Sequence, residues 1–234
     1  MAVHLTLGRT LVTGAAGALG SAVCRALTGA GGAVLALDRA EAAPRLAQLA
    51  AELGVETGTL DVADAGGWER LAVAGRLQPF SGAVLVAGGW RGGAPITEAP
   101  PGELEELLQL NLVSAWVSLR AVLPPLCAAK DGAVVVIGSR SAVEPASGAG
   151  SAAYTASKAA LLALAQAAAA EVRGQGVRVN AVLPSVIDTA QNRAAMPDAD
   201  PSRWVSPDAL AASVLHLLTN PDVSGAALPV YGRL

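Results

Sequence analysis

Short apolar runs alternate along the chain with longer stretches whose apolar residues recur at helical spacing. Apolar runs of about four to eight residues, bounded by glycine or polar residues, are typical of buried strands. Their alternation with helical stretches indicates βαβ units around a parallel sheet. We therefore expect an α/β fold with one doubly wound, seven-stranded parallel sheet and helices on both faces. The predicted strands are residues 10–13, 33–37, 55–60, 83–87, 133–138, 177–183 and 226–230.

Proline and glycine mark helix ends, as where Pro44 opens one predicted helix and Gly54 closes it. Residues 188–206 show no regular pattern and are rich in Pro, Asp, Asn and Ala. A compact domain tolerates so long an irregular segment mainly as a binding loop, so we predict a substrate lid there. No sharp change of composition divides the chain, and we expect residues 1–234 to form one domain.

The composition of the chain argues against several classes of binding partner. A formal net charge of -3 and a pI near 5.4, with no cluster of Lys and Arg, argue against nucleic acid as a partner. The apolar run 159–170 contains Gln166 and is shorter than the roughly 20 residues of a membrane span, so we expect a buried helix and no membrane partner. Cys24 and Cys127 lack a CxxC spacing, so no metal site is predicted. The first residues lack the apolar stretch of a secretory signal, and a cytoplasmic protein is expected.

A glycine-rich turn lies between the first predicted strand and the first predicted helix. Its glycines are Gly14, Gly17 and Gly20, and Leu19 begins the apolar spacing of the helix. Glycines allow the backbone to approach a pyrophosphate closely, and the free N–H groups of a helix N-terminus favour an anion. The turn therefore predicts a dinucleotide site in a Rossmann-type domain.

Asp38 ends the second predicted strand, 18 residues after Gly20. A carboxylate at this point can accept hydrogen bonds from the adenosine ribose hydroxyls. It would also repel a 2′-phosphate, so NAD(H) is favoured over NADP(H). The neighbouring Arg39 could pair with that phosphate, which keeps NADP(H) possible.

Tyr154 and Lys158 lie four residues apart at the start of an Ala-rich helix and therefore share one helical face. A free phenol has a pKa of about 10, and an adjacent ammonium is expected to lower it, which would make the pair a general acid or base. Ser139, after the fifth predicted strand, could hydrogen-bond a substrate carbonyl oxygen. Asn111 lies in a helix predicted over residues 103–122.

These motifs resemble those of the short-chain dehydrogenase/reductase family over nearly the whole chain. The resemblance implies that Tyr154 donates the proton in reduction, and that Lys158 adjusts the tyrosine pKa and binds the ribose. It implies that Ser139 polarises the substrate oxygen and that Asn111 anchors a water relay to Lys158. It also implies further cofactor contacts at Asp61, Val62, Ala87, Gly88, Pro184 and Thr189.

The chain departs from the common family pattern in places. Leu85 and Val86 replace the two asparagines that usually precede Ala87, and the three glycines of the turn are spaced differently. The catalytic serine has two candidates, because the end of the strand selects Ser139 and the family's usual interval before the tyrosine selects Ser141. We favour Ser139, since a slightly longer loop is easier to accommodate than a shifted strand end.

The glycine turn, the residues around Trp90 and the lid resemble a branch of the family, the dihydropteridine reductases, which reduce quinonoid pterins with NADH. That branch lacks the serine and asparagine, whereas this chain keeps Ser139 and Asn111. We therefore expect hydride transfer between a nicotinamide and a carbonyl or secondary alcohol. A pteridine or imine reductase is an alternative, and a dinucleotide-binding protein without turnover is another. The expected partners are a small-molecule substrate and, from the family, further copies of the chain in a homodimer or homotetramer.

Overall fold

A computed structural model describes residues 7–233. Seven strands form one parallel sheet in the order β3-β2-β1-β4-β5-β6-β7. This arrangement confirms the predicted fold class. The strands are β1 Thr10–Thr13, β2 Val34–Asp38, β3 Glu56–Thr59, β4 Gly82–Leu85, β5 Gly132–Ile137, β6 Val177–Pro184 and β7 Ala227–Val230.

Helices connect successive strands and cover both faces of the sheet. One of them is interrupted by a π-helical segment, Leu108–Val113, so its two α-helical parts are numbered separately. The helices are α1 Ala18–Gly29, α2 Ala43–Leu53, α3 Ala65–Val73, α4 Glu103–Leu107, α5 Ser114–Ala129, α6 Ala152–Val172, α7 Ala190–Ala195 and α8 Pro207–Thr219.

The sheet separates two apolar cores. Along β5, Val134 and Val136 point into one core while Val135 and Ile137 point into the other, because side chains alternate across a strand. The first core is completed by α3, α5 and α6, and the second by α1, α2 and α8. Strands covered on both faces must be apolar throughout, which explains why β5 was visible as a continuous apolar run.

The helix ends follow the sequence signals. Gly54 caps α2 in the left-handed conformation, with φ of 67°, and Ser206 caps α8 by accepting a 3.1 Å hydrogen bond from the Ala209 amide. The helix predicted over residues 103–122 is longer than expected. Its helical run continues to Ala129 and includes two prolines near its end, Pro124 and Pro125.

The lid segment, residues 188–206, is less irregular than predicted. It contains α7 and a short 3₁₀ turn, Pro201–Arg203. Its two ends are held together by an isolated parallel bridge between Ile187 and Val205. The segment is therefore a partly helical loop whose two ends are bridged next to the end of β6.

The helical run Glu103–Ala129 is long and apolar enough to cross a bilayer by length and composition alone, and 33% of its most apolar window is buried. Its inward face carries the buried Ser114 and Ser118, whose hydroxyls donate to main-chain carbonyls one turn earlier. Its outward face exposes Trp116, which is 52% accessible. The helix thus packs on the sheet with one face and leaves an apolar face uncovered.

Candidate active site

The carboxyl ends of the strands lie along one edge of the sheet, and the predicted site residues gather there. The strand order reverses between β1 and β4, and doubly wound sheets bind ligands in the crevice at such a point. The order along this edge, from β3 through β6, is Asp61, Asp38, the glycine turn, Ala87, Ser139 and Thr189.

Two glycines of the turn are required by close approach. Gly14 has φ of 63°, and a Cβ on it would lie 2.9 Å from the Ala87 amide nitrogen. A Cβ on Gly20 would collide with the Gly14 carbonyl. Gly17 is the N-cap of α1 with an ordinary φ of -80°. The turn therefore brings β1, α1 and the loop after β4 into direct contact.

The N-terminus of α1 is open to an anion. No side chain in the described part of the chain caps it, and its first turn, which includes Leu19, carries no acidic residue. The first N–H groups of a helix lack intrahelical partners and carry partial positive charge. This cradle without side chains fits the pyrophosphate of a dinucleotide.

Asp38 is held rigidly over the glycine turn. Its Oδ2 accepts a 2.9 Å hydrogen bond from the Ala16 amide, and its Oδ1 accepts one of 2.8 Å from the Arg39 amide. The carboxylate is therefore fixed beside the place where a dinucleotide ribose would follow the pyrophosphate. Arg39 is exposed and lines an open cavity of about 540 Å³ together with Asp61.

Asp61 and Val62 follow β3 as the resemblance implies. Asp61 is exposed, and its Oδ1 accepts a 2.9 Å hydrogen bond from the Ala63 amide. The Val62 carbonyl accepts a 3.0 Å bond from the Trp68 indole, while its side chain packs against the core. Both residues are anchored next to Asp38, on the side expected for the adenine.

Asn111 lies in the π-helical segment and is fully buried. Its Oδ1 accepts from the Gly89 amide at 3.0 Å, and its Nδ2 donates to the Gly89 carbonyl and to Ser157 Oγ, each at 3.0 Å. A Cβ on Gly88 would lie 2.7 Å from Asn111 Oδ1 and 3.5 Å from Lys158 Nζ. Asn111 thus fixes the loop after β4 directly against Lys158.

Lys158 is buried, with 6% of its surface exposed, and its Nζ donates a 2.8 Å hydrogen bond to the Ile137 carbonyl at the end of β5. Nζ lies 5.9 Å from the centre of the Tyr154 ring. Burial lowers the pKa of Lys158 from 10.5 to about 8. The ammonium is therefore placed between the last residues of β5 and the phenol.

The expected depression of the phenol pKa is not found in this structure. Burial raises the pKa of Tyr154, and a hydrogen bond with Ser139 lowers it only in part. The loss of solvation is the larger of these two effects, and the Lys158 ammonium donates its hydrogen bond to a main-chain carbonyl instead of to the phenol. The phenol consequently stays protonated at neutral pH.

Both candidate serines are buried and adjacent. Ser139 Oγ and Ser141 Oγ lie 3.1 Å apart, and the Ser141 amide donates to Ser139 Oγ at 3.3 Å. Of the two, Ser139 is the one whose hydroxyl lowers the Tyr154 pKa. This geometry favours Ser139 as the partner of a substrate oxygen and Ser141 as its support.

Pro184 ends β6 in a buried position, and Thr189 begins the lid. Thr189 Oγ1 accepts a 3.1 Å hydrogen bond from the Asn192 amide, so it caps α7 and keeps its own proton free to donate. Asp188 pairs with Arg193 at 2.6 and 2.8 Å, which closes the first turn of the lid. Thr189 is thus held at the mouth of the site.

Some groups of the site carry no sequence signal. The Ile137 carbonyl and the Gly89 amide and carbonyl are main-chain groups. Because every residue carries such groups, nothing in the sequence marks these two positions. Ser157 has a sequence signal, because it lies between Tyr154 and Lys158, one position before the lysine. In the folded chain its hydroxyl accepts a hydrogen bond from Asn111. The catalytic and cofactor-binding roles of the residues named above stay predictions that this geometry makes possible.

The chain matches the family model of the short chain dehydrogenases over residues 9–200. Galactitol 2-dehydrogenase of Rhizobium johnstonii is 32% identical over 240 residues, covering 97% of this chain and 91% of the relative. D-Threitol dehydrogenase of Mycolicibacterium smegmatis is 32% identical over 237 residues, covering 95% of this chain and 90% of the relative.

Solved structures of similar proteins agree with the match to the short chain dehydrogenase model. One, provisionally assigned as an NAD(P)-dependent gluconate 5-dehydrogenase from Beutenbergia cavernae with NADP bound at low occupancy, superposes with a TM-score of 0.85 at 30% identity. The match covers 97% of this chain and 96% of that one. On the family model, the relatives and the fold together, this chain is an oxidoreductase that belongs to the short-chain dehydrogenase/reductase family.

Proposed function

We propose that the chain transfers a hydride between NAD(H) and a carbonyl or secondary alcohol, with Tyr154 as the proton donor and acceptor. The observation that carries the proposal is a continuous set of contacts from one end of the site to the other. A Cβ on Gly14 would lie 2.9 Å from the Ala87 amide nitrogen, and a Cβ on Gly88 would lie 2.7 Å from Asn111 Oδ1 and 3.5 Å from Lys158 Nζ. A ligand anchored by its pyrophosphate at the turn therefore extends towards Lys158 and Tyr154.

The bound dinucleotide would supply or accept the hydride. The chain itself handles the proton. In reduction, Tyr154 donates its phenolic proton to the substrate oxygen, and its raised pKa keeps that proton in place at neutral pH. Ser139 donates a hydrogen bond to the same oxygen, and Lys158, which with a pKa of about 8 is still mostly charged at pH 7, stabilises the phenolate left behind.

In this proposal Asn111 is a positioning residue that acts through its hydrogen bonds to the Gly89 main chain. Both protons of its amide are used by Gly89 and Ser157, which leaves one acceptor lone pair of Oδ1 for the water that the family resemblance implies. Its main task in this proposal is to hold the loop after β4 beside Lys158.

We propose NAD(H) as the preferred cofactor. The Asp38 carboxylate is fixed over the turn by two amides and would place its charge against a 2′-phosphate. Arg39 keeps NADP(H) possible, and a structural relative holds NADP. The preference therefore depends on the balance between these two neighbouring charges.

The substrate that the site supports best is a small polyol or its ketone. Two relatives are named as polyol dehydrogenases, and the buried Ser139 suits a carbonyl oxygen more than a pterin imine. The lid, residues 188–206, is proposed to cover the substrate within one domain spanning residues 1–234. Quinonoid dihydropterin is kept as the competing substrate.

We propose that two or four copies of the chain associate through the uncovered face of Glu103–Ala129. Only 33% of the most apolar window of this helix is buried within one chain, and Trp116 lies on the exposed side. Apolar surface left open in this way is usually covered by a partner.

The test is a spectrophotometric screen of NADH oxidation with ketones and quinonoid dihydropterin, and of NAD reduction with polyols. The wild type is expected to turn over a polyol or ketone, and Tyr154→Phe to lose about 10²- to 10⁴-fold in kcat while still binding NADH. Turnover of the pterin alone would favour the reductase alternative. Full activity in Tyr154→Phe would remove the phenol from the mechanism.

A further inference from the structure

The residues that follow β7, Tyr231–Arg233, pass beside the carboxyl end of β6. Ser185 Oγ donates a 2.7 Å hydrogen bond to the Tyr231 carbonyl, and the Ser185 amide approaches the Val230 carbonyl at 3.4 Å. We call Tyr231–Arg233 the strap. It is anchored one residue beyond Pro184, at the point where the chain turns towards the lid.

The Tyr231 side chain contacts the segment that carries the candidate catalytic serine. The Arg140 guanidinium lies over the Tyr231 ring, 5.1 Å from its centre, and Arg140 directly follows Ser139. Arg140 Nε also donates a 2.7 Å hydrogen bond to Glu144 at the other end of this short segment. The ring thus supports the 3₁₀ turn on which Ser139 and Ser141 lie.

The other end of the strap contacts the base of the lid. The Arg233 amide donates a 3.0 Å hydrogen bond to the Arg203 carbonyl. Gly232 has φ of 73°, and a Cβ on it would lie 2.6 Å from the Arg203 carbonyl oxygen and 3.0 Å from the Val205 nitrogen. Val205 is the residue that bridges to Ile187 and closes the lid base. Glycine is therefore required where the strap crosses the lid.

We propose that Tyr231 is a positioning residue, and that the strap ties the Ser139 turn to the base of the lid so that substrate oxygen and serine meet in a fixed geometry. The kinetic consequence rests on the function proposed above. The phenol itself takes no part in proton transfer. Burial and the Glu144 charge raise the pKa of Tyr231 and the Arg140 charge lowers it only in part, so Arg140 meets a neutral ring.

The kinetic test compares Tyr231→Ala with Tyr231→Phe. Loss of the ring removes the support under Arg140 and leaves it bonded to Glu144 of the same segment, and a displacement of about 1 Å at Ser139 is enough to lower kcat/KM for the substrate roughly 10- to 100-fold. KM for NADH should change far less than kcat/KM for the substrate, because the Tyr231 ring contacts Arg140 beside Ser139 and not the glycine turn. Tyr231→Phe keeps the ring under Arg140 and should restore wild-type kinetics. Equal losses in both variants, or a loss expressed in KM for NADH, would overturn the proposal.

A second test needs no turnover and so separates the strap from the proposed function. Hydrogen exchange is followed by mass spectrometry in the wild type, Tyr231→Ala and Gly232→Ala. Tyr231→Ala should speed exchange at residues 139–144, and Gly232→Ala at residues 187–205. Unchanged exchange in these segments would refute the tie even if the enzyme is active, and faster exchange supports it even if no substrate is found.

Gly31→Ala is the matched control for Gly232→Ala. Gly31 also has a positive φ, 83°, but a Cβ on it would meet no atom within 4 Å. It therefore carries the same kind of backbone strain without crowding the lid. Equal exchange of residues 187–205 in the two glycine variants would assign the effect to strain alone and contradict the proposal.

Discussion

Lys158 carries a charge inside the protein, and replacing it with methionine should raise stability while abolishing activity. Burial lowers its pKa from 10.5 to about 8. Each pKa unit corresponds to about 1.4 kcal/mol, so holding the ammonium in the folded chain at pH 7 costs about 3 kcal/mol. The methionine leaves the Ile137 carbonyl without its 2.8 Å hydrogen bond, and this loss destabilises the variant by about 1 to 2 kcal/mol. The expected net gain is about 1 to 2 kcal/mol.

The gain should depend on pH in a defined direction. The pKa of Lys158 is lower in the folded chain than in the unfolded chain. Between about pH 8 and pH 10.5 the lysine is therefore protonated in the unfolded chain and neutral in the folded one. Wild-type stability from this group is therefore complete above about pH 10.5 and is lost as the pH falls through about 8. The advantage of Lys158→Met should be full below pH 8 and should disappear, or change sign, near pH 10.5.

Urea unfolding of both proteins without cofactor, at several pH values between 7 and 10.5, measures this difference directly. At pH 7 the free energy of unfolding of the methionine variant should be about 1 to 2 kcal/mol higher, and in a separate thermal unfolding experiment its midpoint should be roughly 2 to 8 °C higher. Lys130→Met is the control, since it removes an exposed lysine and should leave the free energy of unfolding within about 0.5 kcal/mol of the wild-type value. A Lys158→Met protein that is less stable than wild type by the same amount at every pH would refute the reasoning.

Three further predictions concern the cofactor, the loop after β4 and assembly. Asp38→Asn keeps an acceptor for the turn but removes the charge. The kcat/KM ratio of NADH over NADPH should therefore fall about tenfold or more, the size of one charge-assisted contact. An unchanged ratio would mean that Asp38 does not face the 2′ position. Gly88→Ala places a Cβ 2.7 Å from Asn111 Oδ1 and should lower kcat by about tenfold or more, because small displacements at a reacting centre are costly. Gly29→Ala, whose added Cβ meets no atom within 4 Å, should not lower it, and equal kinetics in the two variants would contradict the close packing. Trp116→Lys should lower the assembly mass in sedimentation, and an unaltered mass would place the interface elsewhere.

Much of the fold could be predicted because its sheet is buried on both faces. β5 was expected at residues 133–138 and occupies Gly132–Ile137, since a doubly covered strand must be apolar along its whole length. β3, Glu56–Thr59, lies at the edge of the sheet and is mostly polar. Its position followed from the alternation of strands and helices more than from its own residues.

The candidate site was predicted less completely. Residue types identified Tyr154 and Lys158, but the direction of the tyrosine pKa depends on how deeply the folded chain buries the phenol. The π-helical segment around Asn111 leaves no pattern, because a shift from i+4 to i+5 hydrogen bonds does not alter which residues are apolar. The contact of Tyr231 with Arg140 joins parts of the chain far apart in sequence.

The most direct test of the account is a crystal structure of the enzyme with NAD and a substrate ketone or alcohol. We predict the pyrophosphate at the N-terminus of α1 and the Tyr154 hydroxyl within about 2.6 to 3.2 Å of the reacting oxygen. A dinucleotide bound at the glycine turn with its nicotinamide far from Tyr154 and Lys158 would contradict the central claim.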